Sequence, residues 1–227
     1  AAPGSGAYNR VMQDELNTVQ LLVVLAPPLL LAITLHEVAH GWMALRFGDS
    51  TAHAQGRLSL NPLRHVDPIG TLLVPGLLAV IGGFIFGWAK PVPVDYRRLR
   101  QPKRDMALVA LAGPLSNLLM ALAWALVALF GHGLQDSVAW LGKPMLLMGL
   151  AGIDVNVMLG VLNLVPIPPL DGSRVLAGLL PDRFGQAMAR LEPYGLMILL
   201  FLLVSGVLNL LPIVSSIRHL ILMLFFS

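Results

Sequence analysis

Long apolar runs alternate with short polar connections along this chain. Uncharged or nearly uncharged stretches occupy 16–35, 68–89, 106–131, 144–173 and 193–217. A helix that spans a bilayer needs about 20 apolar residues, so the pattern is that of membrane segments joined by loops. It predicts a long helix over 18–47 with a kink at Pro27-Pro28. A polar stretch follows over 48–69, punctuated by Gly48-Asp49, Gly56, Asn61-Pro62 and Asp67-Pro68. Within it, 51–55 and 57–60 flank Gly56 and read as a short hairpin. Residues 70–88 are apolar but broken by Pro75 and the pair Gly82-Gly83. A basic connection covers 89–104, an apolar helix 105–131, and a loop 132–143. The apolar segment 144–165 runs into a proline-rich turn that ends in Leu170-Asp171-Gly172. An amphipathic stretch at 174–192 and a span at 194–211 complete the pattern, and Pro212 opens a short tail carrying Arg218 and His219. The expected fold class is an all-α polytopic membrane protein. It is a bundle of about four to six membrane segments, with a short β-hairpin or re-entrant segment beside the functional site.

Composition strengthens this picture. Hydrophobic residues make up 56% of the 227 residues and charged residues only 12%, about half the usual share of roughly 25%. The chain reads as one integral-membrane domain over 1–227, with no room for a soluble module and no internal repeat. No cleavable signal peptide is expected. Cysteine is absent, which excludes a disulfide framework. The net charge of +3 is no nucleic-acid signal, because the basic residues cluster in a loop between membrane segments.

That loop sets the orientation. Lys90, Arg97, Arg98, Arg100, Lys103 and Arg104 face one acid, Asp95, which places 89–104 in the cytoplasm by the positive-inside rule. Helix 105–131 then runs outward and 144–165 returns, so Asp171 lies at a cytoplasmic end. If Asp171 joins the functional site, helix 18–47 runs from outside to inside. Residues 48 and 89 then share a side, and the cheapest solution is a re-entrant segment over 70–88, broken at Pro75 and Gly82-Gly83; a simple spanning helix is the alternative. Non-helical backbone at that depth needs protein or a water cavity around it.

The candidate chemistry sits in the first helix, as His36-Glu37-Val38-Ala39-His40. Histidines at i and i+4 share a helix face, about 5–6 Å apart at Cβ, and can grip one zinc ion. A glutamate beside the first can hold metal-bound water and take its proton. Ionisable groups in a membrane segment are expensive to insert, which argues against an incidental pair. A catalytic zinc takes three protein ligands and keeps one open position. The candidates for the third are Asp171, Asp154, Asp49, Asp67, His53, His65, His132 and His219. Asp154 precedes Asp171 by 17 residues, roughly 25 Å along a helix, and suits a hydrogen-bonded carboxylate better than a ligand. Asp171 follows a proline-broken stretch and precedes Gly172, where the backbone can turn tightly; it is the best third ligand.

Taken together, HEVAH at 36–40, AGPLSN at 112–117 and NLVPIPPLDGSRVL at 163–176 resemble the signatures of the site-2 protease family of intramembrane metalloproteases. The resemblance covers about 30 to 180. With GRLSLNPLRHVDPIG at 56–70 and FGWAKPVPV at 86–94, it is similar to the compact subgroup without PDZ or CBS modules. It implies His36, His40 and Asp171 as Zn²⁺ ligands, Glu37 as general base, and Asn163 as the residue holding substrate or the developing oxyanion. Gly113 and Pro114 then serve close helix packing, and Asn117 caps or bridges. His53 and His65 are polar loop residues, unless one lies beside the metal cavity.

The activity implied is zinc-assisted hydrolysis of peptide bonds in single-pass membrane proteins, within the lipid bilayer and without nucleic acid. The protein is expected in the plasma or inner membrane, multi-pass, with its site toward the cytoplasm. A substrate helix must unwind before attack, and edge-strand pairing by 51–60 or by Gly82–Phe86 would assist that. A non-proteolytic metal carrier or metal-binding scaffold is the rival, weakened because metal binding alone does not require Glu37. No Gly-x-Ser-Gly or Gly-x-Gly-Asp supports a serine or aspartyl intramembrane protease.

Overall fold

Among the described residues the chain forms seven α-helices with defined bounds: α1 (Thr18–Arg46), α2 (Thr51–Ala54), α3 (Pro102–Leu134), α4 (Ala139–Asn163), α5 (Asp171–Leu179), α6 (Asp182–Val204) and α7 (Leu211–Phe226). The computed structural model describes residues 16–73, Leu77 and 89–226. Short 3-10 turns at Pro62–Arg64 and Tyr96–Arg98 and a π-helical turn at Pro68–Leu73 complete the regular structure among these residues. Among the described residues, four helices are long and apolar enough to cross a membrane: Val19–Arg46, Pro102–Leu134, Ala139–Asn163 and Asp182–Val204. No strand occurs among the described residues. The interruptions at Pro75 and Gly82-Gly83, and the edge at Gly82–Phe86, lie outside them.

The start and end of α1 are written locally. Asn17 Oδ1 accepts from Gln20 N at 2.9 Å while Gln20 Oε1 accepts from Asn17 N at 3.0 Å. This reciprocal cap satisfies donors that the first turn leaves open. The helix continues through Pro27-Pro28 and stops at Gly48, whose φ of 108° is costly for residues with a Cβ.

The expected hairpin at 51–60 is instead helix α2 and a loop. Asp49 Oδ1 accepts from Thr51 N at 2.9 Å and from Thr51 Oγ1, which starts a helical turn in place of a strand. Gly56, at φ 63°, ends that turn with its N–H on His53 O. Further along, the chain breaks at Leu180-Pro181 rather than near Pro193. Leu180 is extended, at ψ 161°, as a residue before proline prefers. The expected amphipathic stretch and span therefore become short α5 and long α6. Pro193 lies inside α6, and Gly195 lets the helix meet the turn before α5: a Cβ there would lie 2.0 Å from Pro168 O.

Two compact units interleave along the sequence. In the unit containing 117–161 and 210–226, α3 and α4 form an antiparallel pair packed through small residues. A Cβ on Gly131 would meet Leu146 N at 2.3 Å, one on Gly149 would meet Ala128 N at 2.4 Å, and one on Gly152 would strike the Trp124 ring. Apolar burial drives little between helices in lipid, so this close approach supplies the van der Waals contact that joins them. Polar pairs complete it. Asn117 Nδ2 donates to Asn156 Oδ1 at 3.0 Å, Asn156 Nδ2 donates to Gly152 O at 2.9 Å, and Arg218 Nε of α7 donates to Asp154 Oδ1 at 2.6 Å. Asp154 is thus the hydrogen-bonded carboxylate its position suggested, and Asn117 is the bridge.

The unit containing 33–116 and 162–209 holds the second half of α1, the loop regions, the start of α3, and α5 and α6. Ala44, Leu99 and Val109 are buried together, with Met43, Phe47, Val94 and Met106 packed around them. A residue of α1, one of α3 and one of the loop before α3 are thereby held as one body.

Candidate metal centre

The i, i+4 spacing on α1 puts His36 and His40 edge-on to one another, with ring centroids 4.6 Å apart. Both are buried. Asp171 is the first residue of α5 and reaches them from the far end of the sequence. Its position comes from the turn before it. Val165 N bonds Leu162 O, Ile167 N bonds Val165 O and Leu170 N bonds Ile167 O. This is a run of tight turns, not the extended backbone that three prolines suggested, and the Pro168–Pro169 bond is cis. The chain folds back all the same. A Cβ on Gly172 would lie 2.2 Å from Leu164 O, so only glycine allows the start of α5 to press on the residue after Asn163. Asn163 closes α4 and is half-buried.

The three side chains converge on one point. His36 Nε2 and His40 Nε2 are 3.0 Å apart, and each lies 3.2 Å from Asp171 Oδ2. Among the described residues, these three are the group able to share a metal ion. A tetrahedral zinc with ligands at 2.0–2.1 Å sets neighbouring donor atoms about 3.3 Å apart, close to this triangle. The tautomer agrees. His40 Nδ1 lies 2.7 Å from Val109 O, and a carbonyl accepts only, so Nδ1 carries the proton and Nε2 of neutral His40 offers a lone pair. Asp171 Oδ2 is itself buried without a hydrogen bond. A cation among the three atoms would match the unpartnered Asp171 oxygen and the His40 lone pair, and the site fits one.

Glu37 lies outside the triangle. Its Oε2 accepts from Val92 N at 2.7 Å, which leaves Oε1 for other partners. The other candidate ligands fall elsewhere. Asp49 is buried and holds two loops together, accepting from Thr51 and, through Oδ2, from Asp95 N at 2.6 Å. Burial pushes its carboxyl up, but the bonds from Thr51 and Asp95 N–H groups hold it below the ordinary value. His65 is buried with Nε2 on Ser59 O at 2.8 Å, His53 is exposed on α2, and Asp67 caps the π-helical turn through Ile69 N and Gly70 N. His132 pairs with Gln135 and Phe226.

One contributor had a motif but no assigned contact. A Cβ on Gly113 of AGPLSN would lie 2.4 Å from His40 Nε2 and 2.6 Å from His36 Cε1. Close helix packing was the expectation for Gly113; its packing partners are the imidazoles themselves. Val92 was missed outright, because a backbone N–H leaves no trace in side-chain patterns.

Comparisons with known proteins agree with this geometry. The profile of peptidase family M50 matches residues 134–206. The chain is 37% identical to "Putative zinc metalloprotease YwhC" of Bacillus subtilis, over 91% of this chain and 93% of that protein. It is 33% identical to "Putative zinc metalloprotease Rip2" of Mycolicibacterium smegmatis, over 86% of this chain and 71% of that one. The Rip2 protein of Mycobacterium tuberculosis H37Rv is also 33% identical, over 79% and 66%. No solved structure matches at comparable stringency. With near full-length identity and a buried triangle of two histidines and an aspartate, this chain belongs to peptidase family M50, the site-2 protease family of membrane zinc metalloproteases.

Proposed function

We propose that this protein hydrolyses peptide bonds within or near the membrane segments of single-pass membrane proteins, as a step of regulated intramembrane proteolysis. His36, His40 and Asp171 are the metal ligands, Glu37 the general base, and Asn163 the group that steadies the scissile carbonyl. When bound, zinc polarises that carbonyl and lowers the pKa of the attacking water. Glu37 takes the water proton at its carboxylate and delivers it to the leaving amine. The Asn163 amide donates to the developing oxyanion without titrating. Six basic residues in the 89–104 loop favour a plasma or inner membrane location with the site toward the cytoplasm.

The observation that carries this reading is Glu37: a carboxylate next in sequence to a ligand, outside the ligand triangle, with one oxygen anchored at Val92 N. A carrier has no use for such a group. The test reconstitutes the protein with single-pass substrates and measures zinc and cleavage together. Glu37→Gln is expected to keep about one zinc per chain and to lose cleavage, and a chelator to stop the wild type. Substantial cleavage by Glu37→Gln would remove Glu37 as base. Zinc movement across the vesicle without any cleavage would favour the carrier.

A further inference from the structure

The base is anchored by a piece of backbone, and that backbone has an anchor of its own. Residues 89–95 pass beside α1 without regular structure. Val92 N donates to Glu37 Oε2 at 2.7 Å. The Val92 side chain is buried, and a Cβ on Gly41 would meet its Cγ1 at 2.8 Å. Val92 therefore touches α1 on both sides of His40, at Glu37 through backbone and at Gly41 through side chain. Pro91 and Pro93 flank it and have no N–H to offer, so Val92 is the donor the strap presents at this point.

The strap is gripped just upstream. Arg57, half-buried, donates from Nη2 to Lys90 O at 2.8 Å and to Pro91 O at 3.3 Å, and from Nη1 to Arg64 O. Lys90 N in turn bonds His65 O at 2.9 Å. A guanidinium presents several donors in one rigid plane, so a single side chain ties three carbonyls from two loops. Neutral carbonyls gain more from a charged donor than from a neutral one.

We propose that Arg57 is a positioning residue for the reaction, acting through Lys90, Pro91 and Val92 to hold Glu37. With Oε2 held by Val92, the carboxylate keeps one rotamer and presents Oε1 to water. Without the Arg57 grip, the strap drifts and Glu37 samples orientations that do not serve catalysis. This rests on Glu37 being the base.

Amide exchange in the zinc-loaded, full-length protein reads the strap directly, because between residues 91 and 93 only Val92 has an exchangeable amide. Glu37→Ala and Arg57→Gln are each expected to speed Val92 exchange about tenfold or more, as a local bond is lost. Arg57→Gln should lower kcat by about 10- to 100-fold, with zinc content and KM near wild type, and Arg57→Lys should restore part of both readouts. Gly41→Ala presses on Leu58 and Val92 together, and should reproduce the exchange and kcat changes if Arg57→Gln fails to fold. Unchanged Val92 exchange in Arg57→Gln overturns the proposal. So does faster exchange with unchanged kcat, or a kcat loss that tracks zinc loss. If Glu37→Gln proves active, the base assignment fails instead, and Val92 exchange still shows whether Arg57 holds the strap.

Discussion

Two sets of buried and half-buried polar groups sit among the apolar helices, and they are built on opposite rules. In the unit with α4 and α7, every named contact pairs a donor with an acceptor: Asn117 with Asn156, Asn156 with Gly152 O, Arg218 with Asp154. In the unit with the second half of α1 and with α5, His36 Nε2, His40 Nε2 and Asp171 Oδ2 lie within 3.2 Å of one another, and the Asp171 oxygen has no hydrogen bond. The first set is self-sufficient and serves to hold helices together. The second is incomplete without a cation. An unmatched buried acceptor costs about 1–3 kcal/mol, so Asp171 Oδ2, buried without a hydrogen bond beside two imidazole nitrogens, signals a ligand where a satisfied network signals structure.

The strongest way to break this contrast is at Gly113. Gly113→Ala should push a methyl into both imidazoles, abolish zinc binding and remove activity, while helix content by circular dichroism stays near wild type. An alanine variant with full zinc would show that the triangle has room to spare. Asn163→Ala comes next. As an oxyanion donor its loss should lower turnover by roughly 10²–10³ with zinc retained; if zinc falls instead, Asn163 belongs to the scaffold of Asp171. On the satisfied side, Asn117→Leu should leave zinc stoichiometry intact and cost about 1–3 kcal/mol of stability, because Asn156 loses a partner. Denaturant titration in detergent measures it, and zinc loss in that variant would merge the two sets. The smallest effect is at Asp49. Its folded carboxyl lies below the ordinary value of 3.8, so its contribution is complete above that pH and fades as pH falls through the folded value. Asp49→Asn should flatten this acid limb and cost about 1 kcal/mol near neutrality, with zinc unchanged at pH 7.

Much of this was legible from residue order. Helix periodicity put His36 and His40 together, hydropathy found α1, α3 and α4 and part of α6, and Gly172 marked a turn, although the boundary between 174–192 and 194–211 was misplaced. What escaped was carried by backbone or by absence. Asp49 diverts 51–54 into a helical turn through two short-range bonds that a hairpin pattern does not register. Val92 acts through its N–H, which any residue except proline would supply. Gly113 acts by lacking a Cβ, so its motif announced close packing without naming the imidazoles. Asp171 was legible as a carboxylate beside a turn, but its meeting with α1 depends on the close pass of Gly172 over Leu164, a tertiary fact.

The histidines and the aspartate stand about 130 residues apart in the chain, a separation whose closure costs little more than that of a much shorter loop. Because synthesis proceeds from the N-terminus, the ribosome must deliver α3 and α4 to the membrane before the third ligand emerges. A nascent chain that stops short of residue 171 carries the histidine pair and Glu37 but lacks the third member of the group that could hold a metal. On the proposed roles the metal group closes only after α4 is made, and a product truncated before residue 171 would be inert.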